Sequence, residues 1–409
     1  MKSTQTVNKS NRSQIQFLPT GVECNIACKY CYQNEERKVN EGITSKFNYE
    51  KILNVLNNDD RDLNLFGGEP LLAPINVIED VLKLYKEKRK KVSMQTNLTL
   101  LNDKHIELFK KYKPNIGVSL DGWEDLNDAR WIKDLETTRK YTEKTINNIK
   151  KCVDNNFIIS TIITLHKVNV GTPEKVKKFI EFITWLDSLK IRSSRLHLLE
   201  WDNPEFDDEL KLTFEEAKYA YTEIINYLPK LKYIKFDLFK DIIRLLTGDD
   251  ETVACTFQAC DPYTTVAVQG LGPDGEFHNC SMAEKDGISG IIKADTDGME
   301  RQIALANTPQ EFGGCKGCEY LIMCKGYCEG MAIDSDWRNR TVHCETLKFL
   351  FKTFEKKLMD INKIPITMLD NYKDIENIVF SGWYNNQHIS MNKAIKMVNN
   401  QKVNANETT

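Results

Sequence analysis

The chain reads as an α/β protein: a partial barrel of six parallel strand–helix units, a helical bridge, then a small cysteine-rich domain with a β-hairpin. Three observations predict this. Short apolar strands alternate with helical periodicity from about residue 15 to 200. Only helical patterns run from 201 to 254. From Cys255 onward, cysteine and glycine replace the helical pattern. The expected divisions are a polar tail at 1–14, the barrel at 15–200, the bridge at 201–254, the cysteine domain at 255–345, and a C-terminal helix with a polar tail at 346–409.

The barrel elements follow in order. Ile15 to Leu18 is a short apolar strand with a cysteine loop after it. Residues 48–57 read as a helix, Asp62 to Phe66 as a strand that Gly67-Gly68-Glu69-Pro70 ends. Residues 75–90 are helical, with Ile75, Ile78, Val81, Leu82 and Tyr85 on one face. Val92 to Thr96 is a strand, 102–112 a helix and Ile116 to Leu120 a strand. The helix 139–155 leads into the strand Ile158 to Leu165; 173–188 is helical and Ser194 to Leu199 is the sixth strand. Strands and helices alternating at this spacing imply a parallel sheet with right-handed crossovers. Active groups then gather at the C-terminal ends of the strands.

The bridge carries helical patterns at 214–228, with Thr213 as N-cap, and at 238–247; Gly248-Asp249-Asp250 breaks it. Beyond it, Thr264 to Val268 and Glu276 to Asn279 flank the turn Pro273-Asp274-Gly275. Leu347, Leu350, Phe351, Phe354 and Leu358 mark a helix at 345–361. The Asn- and Lys-rich stretch 362–409 holds one further helix near 389–398 and then a disordered end.

Composition narrows the class. Of 409 residues, 41% are hydrophobic, enough for a sizeable core, and the net charge of -3 points to no nucleic acid or polyanion. Met1 to Gln14 has no apolar core, so no signal peptide is read, and no run approaches the roughly 18 apolar residues of a membrane span. The chain is expected in the cytoplasm. Its twelve cysteines cluster: three at 24–31, eight between Cys255 and Cys344, and Cys152 alone on the apolar face of Ile146 and Ile149. Clustering favours metal over a disulfide framework, and Cys152 reads as core.

Cys24, Cys28 and Cys31 have the spacing C-x3-C-x2-C. Three thiolates can hold three irons of a [4Fe–4S] cube and leave the fourth open to another molecule; a zinc knuckle or a redox loop are the other readings. With the Tyr30-Cys31 pair, this stretch resembles the radical S-adenosylmethionine (SAM) superfamily. The resemblance implies a partial (β/α)6 barrel, a SAM-binding [4Fe–4S] cluster, and SAM contacts from Tyr30, Gly67, Gly68, Glu69, Pro70 and Ser119. In the family the glycine–glutamate motif grips the SAM amino group. Ser119-Leu120-Asp121-Gly122 matches the serine-bearing strand, though Asp121-Gly122 also suits a plain turn. Arg130 and Arg139 are both candidates for the SAM carboxylate, and Gln95-Thr96-Asn97 is a further polar strand end.

The order Cys260-x14-Gly275-x4-Cys280, Cys315-x2-Cys318-x5-Cys324-x3-Cys328, then Cys344, with Cys255 ahead, resembles the SPASM auxiliary-cluster domain. That resemblance implies one auxiliary [4Fe–4S] cluster on Cys255, Cys260, Cys280 and Cys328 and a second on Cys315, Cys318, Cys324 and Cys344. Three clusters and SAM are then the cofactors; two zinc sites are the alternative for the distal eight thiols. Fully ligated auxiliary clusters would take an electron from a substrate radical or only shape the pocket.

The implied activity is that of a maturase of ribosomally made precursor peptides. A 5′-deoxyadenosyl radical takes a hydrogen atom from a residue, giving a thioether, carbon–carbon or carbon–oxygen crosslink, or an epimer. The implied partners are the peptide and a flavodoxin- or ferredoxin-type reductant; only 23 residues precede Cys24, leaving no room for an N-terminal winged-helix domain, so leader binding is expected from a separate protein or from surfaces such as the bridge at 200–254 or the tail. The alternative is an anaerobic sulfatase-type maturase that makes formylglycine. Two residues depart from it: Ser281 follows Cys280 where those enzymes carry an aspartate base, and Phe66 precedes the glycines where they usually carry glutamine. A non-catalytic iron–sulfur carrier would not need the SAM motifs. No residue is singled out as the catalytic base. His278 and His343 flank cluster cysteines and read as packing residues or tuning groups.

Overall fold

A computed structural model describes residues 14–39, 47–199, 207–260, 268–278, 280, 282 and 299–407. Nine strands among them form one open sheet. They are β1 (Gln14–Phe17), β2 (Leu63–Leu65), β3 (Val92–Thr96), β4 (Asn115–Ser119), β5 (Ile159–Leu165), β6 (Ser193–Leu198), β7 (Lys235–Phe236), β8 (Val268–Leu271) and β9 (Phe277–His278). Their spatial order is β7-β6-β5-β4-β3-β2-β1-β8-β9. Every pair from β7 to β8 is parallel, and only β8–β9 is antiparallel. The α/β class and the six-strand barrel order β1 to β6 are as the sequence pattern requires.

Helices cover the outer face. The helix Tyr49–Asn58 starts where the Asn48 side chain accepts from Lys51 N, and Asn102 and Asp134 do the same for Asp103–Tyr112 and Leu135–Asp154. Apolar strand positions pack on these helices: Ile15 and Phe17, Leu63 and Leu65, Ile116 and Val118 are almost fully buried. The alternate positions carry Gln14, Gln16, Asn64, Gln95, Arg195 and His197, and these line the interior. A parallel sheet covered on both faces is ordinarily apolar on both. Here the inner face is polar, so the interior is a site and not a second core. Cys152 lies in the outer core, fully buried, and burial pushes its thiol up to about 12.

Three differences from the sequence reading concern non-local pairing and the C-terminus. β8 pairs in parallel with β1, Gln14 opposite Val268 and Phe17 opposite Leu271. The hairpin of the cysteine-rich segment therefore extends the barrel sheet. Its turn is the expected one: Gly275 has φ +76° and donates to Gly272 O at 3.1 Å. Residues 264–267 and Asn279, expected in its strands, lie outside the described residues, as do residues 1–13 of the N-terminal tail. At the other edge β7 adds a two-residue strand to β6.

The third difference is a helix at Tyr372–Tyr384, in a stretch read as polar. It buries Tyr372, Ile375, Val379 and Trp383, and the last helix runs longer than expected, Met391–Glu407. That last helix is tied inward by one ion pair. Lys325 Nζ lies 2.8 Å from Asp250 Oδ2, both side chains 1% exposed. Asp250 Oδ1 accepts from Met391 N at 2.9 Å, and Lys325 also donates to Phe257 O at 3.3 Å. The bridge, the cysteine domain and the C-terminal helix meet there. Among the described residues no helix is long and apolar enough to cross a membrane.

Breaking a buried pair on one side strands a charge. Asp250→Ala should cost about 3–5 kcal/mol in urea unfolding, and Asp250→Ala with Lys325→Met should cost less than the single variant. An unchanged unfolding midpoint in Asp250→Ala would remove this pair from the account of the C-terminal packing.

Candidate active site and cysteine centres

Parallel strands put their C-terminal ends on one side, and the chemistry-bearing residues collect there. The loop after β1 carries Cys24, Cys28 and Cys31. Its backbone is tied to residues after β4, with Ala27 N to Trp131 O at 2.7 Å and Lys29 N to Ala129 O at 2.9 Å. It also lies on the loop after β2, where Gly68 N donates to Gly21 O at 3.0 Å and Glu69 N to Glu23 O at 2.8 Å. A Cβ on Gly68 would sit 1.9 Å from Glu23 O, and one on Gly67, at φ +109°, would sit 2.5 Å from Gly21 O. The close backbone approach that two glycines permit is here an approach to the cysteine loop itself.

Each of the three thiols has one N–H donor from outside its motif. Asn97 Nδ2 lies 3.8 Å from Cys24 Sγ, Arg130 Nη1 3.9 Å from Cys28 Sγ, and Arg37 Nη2 3.4 Å from Cys31 Sγ. Burial pushes the Cys24 thiol up to about 11 and the Cys28 thiol up to about 12; Arg37 and Arg130 respectively pull them down. No disulfide joins any cysteine. The eight distal cysteines fall into two groups of charge neighbours. Cys260 has Cys280, Cys328 and Cys255; Cys324 has Cys315, Cys344 and Cys318. Among the described residues no three His, Cys, Asp or Glu side chains close around the space of a single metal ion. His343 is a packing residue, its Nε2 2.8 Å from Leu199 O.

A cavity of about 890 Å³ joins the first two groups. Cys24, Cys28 and Cys31 line one part of it, and Cys255, Cys260, Cys280 and Cys328 another, whereas the Cys315 group does not line it. Tyr30, Gly67, Gly68, Ser119 and Gln95-Thr96-Asn97 face it. Of the two candidate arginines, Arg130 faces it, while Arg139 is half exposed on Asp128 at 2.9 Å. Glu69 and Pro70 are buried behind the wall. The Glu69 carboxylate accepts from Thr96 Oγ1 at 2.6 Å, Asn97 N at 2.7 Å and Leu71 N at 3.0 Å. It holds the ends of β2 and β3 together.

Several groups in this region have roles that their local sequence does not report. Asp121, fully buried, collects Arg130, Thr164 N, the Tyr30 hydroxyl and His166. Burial pushes its carboxyl up, but Arg130, then His166 and Tyr30, more than offset this and hold it well below the carboxylate range. Across the cavity, Arg195 Nε donates to Asp237 Oδ2 at 2.7 Å, and Asp241 accepts from Ala254 N at 2.9 Å. Burial pushes the Asp241 carboxyl up to about 6. Glu329 Oε1 accepts from Cys260 Sγ at 3.2 Å. Residue type alone would not have selected these positions, because each is recruited by a neighbour distant in sequence.

Glu69 yields a test. Burial pushes its carboxyl up to about 7 from 4.5, against the three bonds that favour the anion. The fold keeps this proton after the unfolded chain has lost it, so stability from the group is complete below about 4.5 and lost as pH rises to about 7. Glu69→Gln should flatten that limb of the stability–pH curve. It should also destabilise by about 1–3 kcal/mol, since the amide turns a donor toward a donor. Urea unfolding across this pH interval is the measurement, and parallel curves for the two proteins would count against it.

The comparisons with known proteins agree with this architecture. Residues 18–183 match the radical SAM superfamily model. The cysteine-type anaerobic sulfatase-maturating enzyme of Clostridium perfringens is 25% identical over 380 residues, spanning 84% of this chain and 96% of that protein. The serine-type enzyme of Klebsiella aerogenes is 35% identical over 125 residues, 28% of this chain and 31% of that one. The structure of anSMEcpe with bound AdoMet and the Cp18Cys peptide superposes with a TM-score of 0.61 at 17% identity, over 85% of this chain and 98% of that one. Residues 18–183 are thus the part of the chain that is similar to the radical SAM superfamily.

Proposed function

We propose that the protein is a radical SAM peptide maturase that abstracts a hydrogen atom from a residue of a ribosomally made precursor and leaves a crosslink or an inverted centre. The observation that carries this is the single cavity shared by the Cys24 and Cys260 thiol groups. Its size suits SAM together with a peptide side chain. The donor chemistry is that of iron–sulfur ligands: eleven thiols besides Cys152, three of which, Cys24, Cys28 and Cys31, each have an N–H partner from outside their motif. Cys24, Cys28 and Cys31 would hold the SAM-binding [4Fe–4S] cluster; Cys255, Cys260, Cys280 and Cys328 the near auxiliary one; Cys315, Cys318, Cys324 and Cys344 the distal one. Loaded, the first cluster would supply the electron that splits SAM into methionine and a 5′-deoxyadenosyl radical.

The remaining work belongs to the chain. The backbone at Gly67-Gly68, Tyr30 and Ser119 border the space in which SAM would lie. Glu69 acts from behind by fixing Asn97, whose side chain reaches Cys24. The cavity walls hold the reacting atoms together. A precursor peptide and an external one-electron reductant complete the system.

A second reading is a sulfatase-type maturase. It is favoured by the match along 96% of the Clostridium perfringens enzyme. Phe66 lines the cavity where those enzymes usually carry glutamine, and Ser281 replaces their aspartate in sequence. Incubation with a cysteine-containing sulfatase peptide and SAM separates the two: an aldehyde trapped by hydrazide favours the second reading, and 5′-deoxyadenosine without aldehyde the first.

Anaerobic reconstitution should give about twelve irons per chain, with 5′-deoxyadenosine released on reduction. Replacing Cys24, Cys28 and Cys31 by Ala should remove about four irons and all SAM cleavage. Cleavage that survives this triple change would overturn the N-terminal assignment. About four irons with bound zinc in the unchanged protein would overturn the two distal ones.

A further inference from the structure

We propose that Arg130, locked by Asp121, is a positioning residue that fixes Cys28 and sets the reduction potential of the N-terminal cluster, and that it does not hold the SAM carboxylate. This rests on the reading of Cys24, Cys28 and Cys31 as cluster ligands.

Two of the five guanidinium N–H groups are already directed at protein atoms. Nη2 donates to Asp121 Oδ1 at 3.0 Å and Nη1 points at Cys28 Sγ at 3.9 Å. Nε is buried with no partner among the described residues. A carboxylate gripped by arginine needs two neighbouring N–H groups free on one side of the fork. Each terminal nitrogen of Arg130 directs one of its two N–H groups at the protein, and the side chain is only 10% exposed. The group is also held rigidly. Its carbon lies 5.6 Å from the centre of the Tyr30 ring. Asp121, fully buried, is fixed in turn from three sides: Thr164 N donates to Oδ1 at 2.9 Å, His166 Nε2 lies 3.3 Å from Oδ2, and the Tyr30 hydroxyl donates to Oδ2. Tyr30 belongs to the cysteine loop, so the network closes on itself: loop to Asp121, Asp121 to Arg130, Arg130 back to the loop.

The charges then have opposite duties. An N–H aimed at a cluster thiolate, with a positive charge behind it, favours the more negative reduced state and raises the potential. A buried carboxylate beside it does the reverse. The pair delivers a hydrogen bond to sulfur at near-zero net charge, so the sulfur is oriented without making the cluster a weaker reductant. The two halves can be separated. Arg130→Met leaves Asp121 uncompensated and should lower the potential. Asp121→Asn keeps the size and leaves Arg130 uncompensated, and should raise it. Arg130→Lys keeps the charge and should fall between the wild type and Arg130→Met. A purely structural pair would move both charge variants the same way.

The experiment is an EPR-monitored redox titration of the full, reconstituted chain, with the N-terminal signal identified by its change on adding SAM. SAM binding is measured on the same samples. Opposite shifts for Arg130→Met and Asp121→Asn, with SAM affinity within about threefold of wild type, support the proposal. Unmoved potentials with SAM binding weaker by about tenfold or more in Arg130→Met overturn it, and return Arg130 to the SAM carboxylate. Shifts of the same sign in both also overturn it. If Arg130→Met fails to load iron, Arg130→Lys and Asp121→Asn decide by the same signs. A wild-type signal that SAM leaves unchanged would sink the cluster assignment itself, which is a different failure.

Discussion

The loop after β1 lies across the mouth of the barrel only if something holds it over the sheet, and the glycines at 67 and 68 are what permit this. Gly68 N and Glu69 N donate to Gly21 O and Glu23 O, and the space a Cβ would take at position 68 is already filled by the Glu23 carbonyl. Two loops from adjacent strands thereby become one layer. Glu69 then extends the layer sideways through Thr96 and Asn97 to the end of β3, and Asn97 reaches back to Cys24. Any side chain larger than hydrogen at 68 separates the first strand's loop from the second's, and the hydrogen bonds that orient the thiols go with it.

Charge placement follows from that geometry. Thiols this deeply buried resist ionisation, as the raised values at Cys24 and Cys28 show, yet a metal needs the thiolate. The fold answers with arginines beside Cys31 and Cys28, and each is anchored before it reaches sulfur: Arg37 on Val22 O and Asn34, Arg130 on Asp121. The other thiol group facing the cavity has a different neighbour. Glu329 sits against Cys260 and pushes that thiol higher still. The two groups that share a cavity are thus electrostatically unlike.

Much of this was legible in the sequence, for identifiable reasons. Strands β1 to β6 alternate with helices whose apolar faces repeat over many residues, and the cysteines and Gly67-Gly68-Glu69-Pro70 sit in contiguous motifs. β7 was not legible because two residues cannot show a period. β8 was missed because its pairing partner, β1, lies some 250 residues away in the chain, and no local pattern reports a non-local hydrogen bond. The helix Tyr372–Tyr384 is a different case. Ile375, Val379 and Trp383 stand four apart, but the surrounding Asn and Lys drew the reading toward composition and away from period. In the site, Arg130, Asp121 and Asn97 can be named from sequence, but their partners cannot. Arg130 is 102 residues from Cys28, and Asp121 matters only because Tyr30, Arg130, Thr164 and His166 converge on it.

The polar inner face of the sheet links these points. Gln14, Gln16, Asn64 and Gln95 occupy positions that a packed barrel would give to Val or Ile, so the sheet forgoes apolar burial on that face. The loss is offset outside it. β8 lengthens the sheet beyond β1, and the buried Lys325–Asp250 pair draws the helix Met391–Glu407 against the cysteine domain. Stability has been moved from the interior to the edges and the C-terminal layer. This explains why helices that contribute no residue to the cavity lining are nonetheless packed so tightly: with the interior given over to a polar site, the outer shell has to hold the sheet in shape.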